Sequence, residues 1–201
     1  MFDAQLRPLI DRLLNPIGRG LVTLGVTANQ VTMIGAAFGL IAAVCAAAGL
    51  FYLALWFVIA NRFIDGLDGA VARASRSSDF GGYLDIVSDF IFYSAIPLAF
   101  AVARPETALA AAFLIFSFIG TTTSFLGFAI LAEKHQVTTQ IRGKKAFYYL
   151  GGLTEGTETI LLLLAMLVWP DYFRLMAIIF GILCWVTTVT RIYAAYREFN
   201  D

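Results

Sequence analysis

The chain has 201 residues, a formal net charge of zero, 60% hydrophobic residues and 14% charged ones, with a mean hydropathy of +0.80. Soluble domains carry about 25% charged residues, so this composition excludes an ordinary water-soluble fold. Zero net charge leaves no electrostatic case for a nucleic acid partner.

The first twenty residues hold Asp3, Arg7, Asp11, Arg12 and Arg19, which interrupt any apolar signal-peptide core. Phe2, Leu6, Leu9, Ile10, Leu13 and Ile17 recur at spacings of three and four, one face of a helix. Residues 1–20 therefore read as an amphipathic helix lying in the membrane interface, or packed on the rest of the protein, or both.

Residues 21–201 read as one membrane domain. Six apolar runs approach the roughly 20 residues needed to span a bilayer. They are 31–50, 51–60 continuing through Asn61 and Arg62, 84–103, 108–131, 150–169 and 172–193. The expected fold is all-α and membrane-integral, with six transmembrane helices after the interfacial one. All fourteen Lys and Arg except Arg104 and Arg174 fall on one side of this arrangement. The positive-inside rule then puts both termini and the stretch 65–89 on the cytoplasmic side of the membrane. Cys45 and Cys184 lie in apolar runs and read as small core residues. His135 reads as an interfacial residue, and Thr121–Ser124 as helix–helix packing with interhelical hydrogen bonds.

Four carboxylates break the apolar pattern between residues 65 and 89. Asp65, Asp68, Gly69 and Ala72 are i, i+3, i+4 and i+7, one stripe of a helix. Gly81, Asp85 and Asp89 form a second stripe after a turn. A carboxylate at the centre of a spanning helix costs about 2.5–3.5 kcal/mol. Four of them facing one another repel and need compensation. Oxygen ligands without His or Cys point to hard cations, Mg²⁺, Mn²⁺ or Ca²⁺ rather than zinc, and two ions could share the four groups. Gly69, Ala72 and Gly81 leave room for a flat or bulky ligand, and Arg73 suits a phosphate.

Asp65-x-x-Asp68-Gly69-x-x-Ala72-Arg73, seven residues, then Gly81-x-x-x-Asp85-x-x-x-Asp89 resembles the signature of the CDP-alcohol phosphatidyltransferase family. Thr27-Ala28-Asn29-Gln30-Val31-Thr32 resembles that family's Thr-Pro-Asn-x-x-Thr entry to its first helix, with Ala28 in place of Pro. The run Lys145–Glu158 is similar to a bacterial inner-membrane branch of the family. The resemblance implies attack by an acceptor hydroxyl on CDP-diacylglycerol, release of CMP and formation of a phospholipid. It implies Asp65, Asp68 and Asp85 as metal ligands, with Asp89 as a further ligand or the general base. Gly69 and Ala72 are implied to make room for cytidine, and Arg73 to sit near the phosphates. Gly81, Asn29 and Thr32 fall on the donor side of the same pattern. A homodimer is implied by the family alone.

The acceptor must be recognised elsewhere. Arg142, Lys144 and Lys145 suit a phosphorylated acceptor, or else lipid headgroups. Glu155 and Glu158 suit a polyol or amino alcohol, or else ion pairs with nearby cations. Two other functions share parts of this pattern. An integral-membrane prenyltransferase also holds a metal diphosphate on Asp-rich helices, but such enzymes resemble one another in a second Asp motif that this sequence lacks. A cation transporter would use the Asp cluster as its ion site, yet no repeat of the kind common in transporters is visible.

Overall fold

The computed structural model describes residues 3–75, 78–135 and 152–200. Among these the chain is all-helical, with seven α-helices: α1 (Asp3–Thr23), α2 (Ala28–Ala47), α3 (Phe51–Ala74), α4 (Asp79–Ala103), α5 (Ala108–Lys134), α6 (Gly156–Val168) and α7 (Phe173–Phe199). Arg142, Lys144 and Lys145 lie outside the described residues.

Local signals set the helix ends. Thr27 and Gln30 form a reciprocal capping box at the start of α2, with the Gln30 amide donating to Thr27 Oγ1 at 3.4 Å and the Thr27 amide to Gln30 Oε1 at 2.9 Å. This cap places Asn29 and Thr32 in the first turns of α2. Gly25 and Gly49 take φ of 78° and 77°. Both close Schellman turns: Val26 N–H bonds the Leu21 carbonyl, and Leu50 N–H bonds that of Cys45. Ser78 caps α4 by accepting from the Gly81 amide at 3.0 Å.

Four helical segments are long and apolar enough to cross a membrane: Ala28–Ala47, Asp79–Ala103, Pro105–Lys134 and Pro170–Phe199. The other two expected spans differ. α3 has the length, but Arg62, Asp65, Asp68 and Arg73 lower its apolarity. α6 has 13 residues, about 20 Å at 1.5 Å per residue, against a hydrocarbon core of about 30 Å. It starts at Gly156 because Glu155 occupies the N-cap and Glu158 completes a capping box.

α2 packs on α3 and α4, α5 on α7, and α6 touches α3, α4 and α7. Small residues permit the close approaches. A Cβ on Gly35 would lie 3.2 Å from Ile64, and one on Gly39 would lie 3.0 Å from Phe92. The core centres on Phe92, Ile96, Phe100, Leu114, Leu163, Met166 and Phe173, with Phe100 and Phe173 stacked 4.2 Å apart. Arg104 and Arg174 tie the connections at the far end of the bundle. Arg104 pairs with Asp171 at 2.7 Å and Arg174 donates to the Glu106 carbonyl at 2.7 Å.

The apolar exterior is extensive: Val44, Trp56, Leu109 and Ile130 are each more than two-thirds exposed. A continuous surface of that kind suits lipid rather than water. α1 docks on α3 through Asp11, Leu14, Asn15 and Gly18, a stripe one position removed from the apolar one. Leu14 is buried, whereas Ile10, Leu13 and Ile17 remain exposed. The helix is therefore packed on the bundle and still presents an unburied apolar face.

Candidate active site

α3 and α4 carry the four carboxylates to a common level. Oxygens of Asp65, Asp68 and Asp85 lie within 4.8 Å of one another, with Asp68 buried and the other two half-buried. Thr32 on α2 donates from Oγ1 to Asp68 Oδ2 at 2.7 Å. A three-carboxylate cluster with oxygen-only donors fits a hard divalent cation and is poorly suited to zinc.

Asp89 borders a small cleft that it shares with Thr32, Arg62, Asp65 and Asp68. Its Oδ1 accepts from Arg62 Nη1 at 2.8 Å and its Oδ2 from the Tyr93 hydroxyl at 3.4 Å. Arg62 also lies 3.6 Å from Asp65 Oδ2. Its guanidinium sits over the Phe92 ring, 4.6 Å from the centroid.

Asp85 and Asp89 both open onto a cavity of about 450 Å³ between α4, α5, α6 and α7. Its polar lining includes Tyr93, Thr121–Thr123, Thr154, Glu155, Thr159 and Arg191. Several of the Thr hydroxyls spend their hydrogen locally. Thr121 donates to the Phe118 carbonyl, Thr123 to Ile119 and Thr159 to Glu155. They therefore present lone pairs to the cavity. Arg191 is buried, donates to the Thr121 carbonyl at 3.0 Å and lies 5.6 Å from the Phe125 ring centroid. The cavity thus joins a carboxylate-rich end to a wall of hydrogen-bond acceptors with one guanidinium.

The remaining expected residues fall as follows. Gly81 and Asn29 meet: a Cβ on Gly81 would lie 2.7 Å from Asn29 Oδ1. A Cβ on Gly69 would come near only Arg73 Nη1, at 3.2 Å, so the space beside Gly69 is otherwise open. Ala72 is half-buried on the same stripe. Arg73 turns toward α1, bonding Asp11 at 2.7 Å and Asn15 at 3.1 Å. Glu155 lines the cavity, but its Oε1 also accepts from the Gly152 amide at 2.9 Å. Glu158 does not line it; its Oε2 accepts from the Glu155 amide at 3.2 Å.

Arg62, Tyr93 and Arg191 were not among the site residues expected from sequence, and Thr121–Thr123 were expected only to pack helices together. Arg62 stands three residues before Asp65 in an apolar helix, which is a signal in itself. The Thr run carried a packing interpretation that fits equally well without a cavity beside it.

The sequence model of the CDP-alcohol phosphatidyltransferase family matches residues 25–193. The chain is 48% identical over 197 residues to the inner membrane protein YnjF of Escherichia coli, covering 98% of this chain and 96% of that one. It is 26% identical to the archaetidylinositol phosphate synthase of Pyrococcus horikoshii, over 97% of both chains. In fold it is similar to the phosphatidylinositol phosphate synthase of Mycobacterium tuberculosis with CDP-DAG bound, with a TM-score of 0.73 and 21% identity over 92% of this chain and 94% of that one. The same synthase in complex with manganese and citrate gives a TM-score of 0.71 at 22% identity, over 91% and 88%. The matched span takes in α2 to α6 and most of α7, and with them the carboxylate trio, Asp89 and the cavity lining. The chain is a transferase of the CDP-alcohol phosphatidyltransferase family.

Proposed function

We propose that this protein transfers a phosphatidyl group from CDP-diacylglycerol to the hydroxyl of a small alcohol, with release of CMP. The observation that carries the reading is the junction of Asp65, Asp68 and Asp85 with a cavity that Asp89 also lines. Support for the donor and the ion comes from the Mycobacterium tuberculosis synthase, which has been crystallised with CDP-DAG and with manganese.

Mg²⁺ or Mn²⁺ held by Asp65, Asp68 and Asp85 would supply electrophilic stabilisation of the diphosphate and of the departing CMP. Asp89 is placed to take the proton from the acceptor hydroxyl, since it opens on the cavity beside the trio. Thr32 fixes Asp68. The open space at Gly69 and Ala72 accommodates the cytidine, Gly81 and Asn29 border it, and Arg73 supplies a cation near the phosphates. The cavity walls suit an acceptor rich in hydrogen-bond donors. Glu155 contributes to that surface directly, Glu158 by holding the Glu155 turn. Arg142, Lys144 and Lys145 are proposed to stand on the same cytoplasmic face, holding an acceptor phosphate or lipid headgroups.

The topology follows. α2–α7 make six membrane crossings, with α3 contributing its charged end to the cytoplasmic boundary and α6 a short crossing. Both termini and the site face the cytoplasm of a bacterial inner membrane. The exposed stripe Ile10, Leu13 and Ile17 lets α1 rest in the interface while docked on α3. Likeness to the family supports a homodimer.

The reverse reaction tests the proposal. Purified protein, radiolabelled CMP, a phospholipid and Mg²⁺ or Mn²⁺ should yield a labelled CDP-lipid. No CDP-lipid under either metal removes the transferase reading. CDP-diacylglycerol incubated with a panel of alcohols, followed by mass spectrometry of the lipids, identifies the acceptor.

A further inference from the structure

Arg73 stands in the last turn of α3, where a long side chain has many rotamers open to it. α1 selects one of them. Asn15 Oδ1 accepts from Nε at 3.3 Å and from Nη2 at 3.1 Å, and Asp11 Oδ1 accepts from Nη2 at 2.7 Å. One edge of the guanidinium is thereby given to α1. The remaining nitrogen, Nη1, lies over Gly69, 3.2 Å from where a Cβ would stand. The space beside Gly69 is otherwise open, so the guanidinium is turned with Nη1 toward the recess assigned to the donor.

The hold does not rest on the ion pair alone. Arg73 is 38% exposed and Asp11 28%, and a pair that open to water contributes little by itself. Packing sets α1 on α3. A Cβ on Gly66 would lie 2.8 Å from Leu14 Cδ1, and one on Gly18 would meet the Ala70 backbone at the same distance. Asp11, Leu14, Asn15 and Gly18 are i, i+3, i+4 and i+7 on α1, and Gly66, Ala70 and Arg73 are i, i+4 and i+7 on α3. The packed residues and the polar ones thus share a stripe on each helix. Close packing fixes where Asp11 and Asn15 stand, and they fix the guanidinium.

Charge alone gives Asp11 the wrong sign for a donor site, because a carboxylate beside a phosphate-binding cation weakens its pull on phosphate. Geometry gives the right one. An Arg already held in one orientation loses less freedom when it binds.

We propose that Asp11 and Asn15 of α1 are positioning residues for the donor. They hold the Arg73 guanidinium so that Nη1 faces the recess at Gly69 and meets the diphosphate of CDP-diacylglycerol. The inference rests on the donor reading above and extends that site to the amino-terminal helix.

The test is binding of a short-chain CDP-diacylglycerol to the full chain in detergent with Mn²⁺ present, measured beside the donor and acceptor KM. Asp11→Ala and Asn15→Ala, both compatible with a helix, should each weaken donor binding roughly two- to fivefold, the scale of a half-exposed pair. The donor KM should rise to match, with the acceptor KM and the thermal midpoint near wild type. Asn15→Asp keeps the accepting oxygen and should bind as wild type does. Arg73→Ala should weaken binding further, and adding Asp11→Ala to it should change nothing more. Arg12→Ala, on the exposed side of the same helix, should leave donor affinity unchanged. Donor affinity that rises in Asp11→Ala overturns the proposal, because Asp11 would then compete with the phosphates. Wild-type affinity in both alanine variants of Asp11 and Asn15 overturns it, as does an equal loss in Arg12→Ala or an Asp11→Ala effect that persists without Arg73. If one alanine variant does not fold, the other decides together with Asn15→Asp. No binding of CDP-diacylglycerol by wild type removes the donor reading itself, and this inference with it.

Discussion

Thr32 and Asp68 join α2 to the carboxylate cluster by a bond of 2.7 Å between two buried side chains. Thr32 sits where it does because the Thr27–Gln30 cap fixes the register of α2. The bond fixes the Asp68 carboxylate through its Oδ2. Thr32→Val keeps the branched shape and removes the donor. Hydrogen bonds that orient metal ligands are worth about 10- to 100-fold in metal affinity. Mn²⁺ affinity should fall within that range in Thr32→Val, and Thr32→Ser should restore it. Equal affinities in all three proteins would reduce the contact to packing.

Asp89 opens on the cavity between α4, α5, α6 and α7, with its carboxylate held by Arg62 and Tyr93. A positioned general base contributes roughly 10²- to 10⁴-fold. Asp89→Asn preserves the shape and removes the basicity. Turnover should drop by that factor, with binding of CDP-lipid retained. The check is a kcat measurement beside a donor-binding isotherm on the same preparation. Normal turnover would take Asp89 out of the proton transfer.

Glu155 has two jobs that a single variant can separate. Its side chain caps α6 and accepts from Gly152, and it lines the cavity. Glu155→Gln retains an oxygen acceptor for the cap and removes the charge. The acceptor KM should rise severalfold while the donor KM and the thermal midpoint stay near wild type. Glu155→Ala loses the cap as well, at about 0.5–2 kcal/mol, and its midpoint should fall. An unchanged acceptor KM in Glu155→Gln would leave only the structural job.

Much of the site was legible because helical spacing is rigid. Asp65, Asp68 and Asp85 had to share faces once two helices met at a short turn, and the cluster of three follows. The bond between Arg62 and Asp89 was not legible, because Arg62 entered the sequence argument only as a charge on the cytoplasmic side. Its partner depends on how α3 and α4 cross, a tertiary quantity. The same limit hid the cavity. A Thr hydroxyl in an apolar helix bonds its own backbone whether it faces lipid, a neighbour or a cavity, so Thr121–Thr123 gave no local sign. Glu155-x-x-Glu158 carried a helix-start pattern that could have moved the beginning of α6 from residue 150 to Gly156. Six apolar runs were right as helices, but run length alone overstated α6 and could not show that α3 trades apolarity for chemistry.

The docking of α1 on α3 yields the last prediction. Leu13 and Ile17 of the apolar stripe stay exposed, and the contact runs through Gly18 and Leu14, with Ile10 near Gly66. A Cβ on Gly18 would lie 2.8 Å from the Ala70 carbonyl carbon, and one on Gly20 would meet nothing within 4 Å. Backbone cannot yield as a flexible side chain does, so Gly18→Ala should destabilise by about 1–3 kcal/mol. Gly20→Ala lies in the same helix and gains only helix propensity, up to about 1 kcal/mol. The two variants should move the thermal midpoint in detergent in opposite directions. Gly18→Ala should also loosen the hold of Asp11 and Asn15 on Arg73, which raises the donor KM if Arg73 serves the phosphates. A fall in the midpoint of both variants would mean that α1 tolerates no added side chain on either face, and equal midpoints would mean that it is not docked at Gly18.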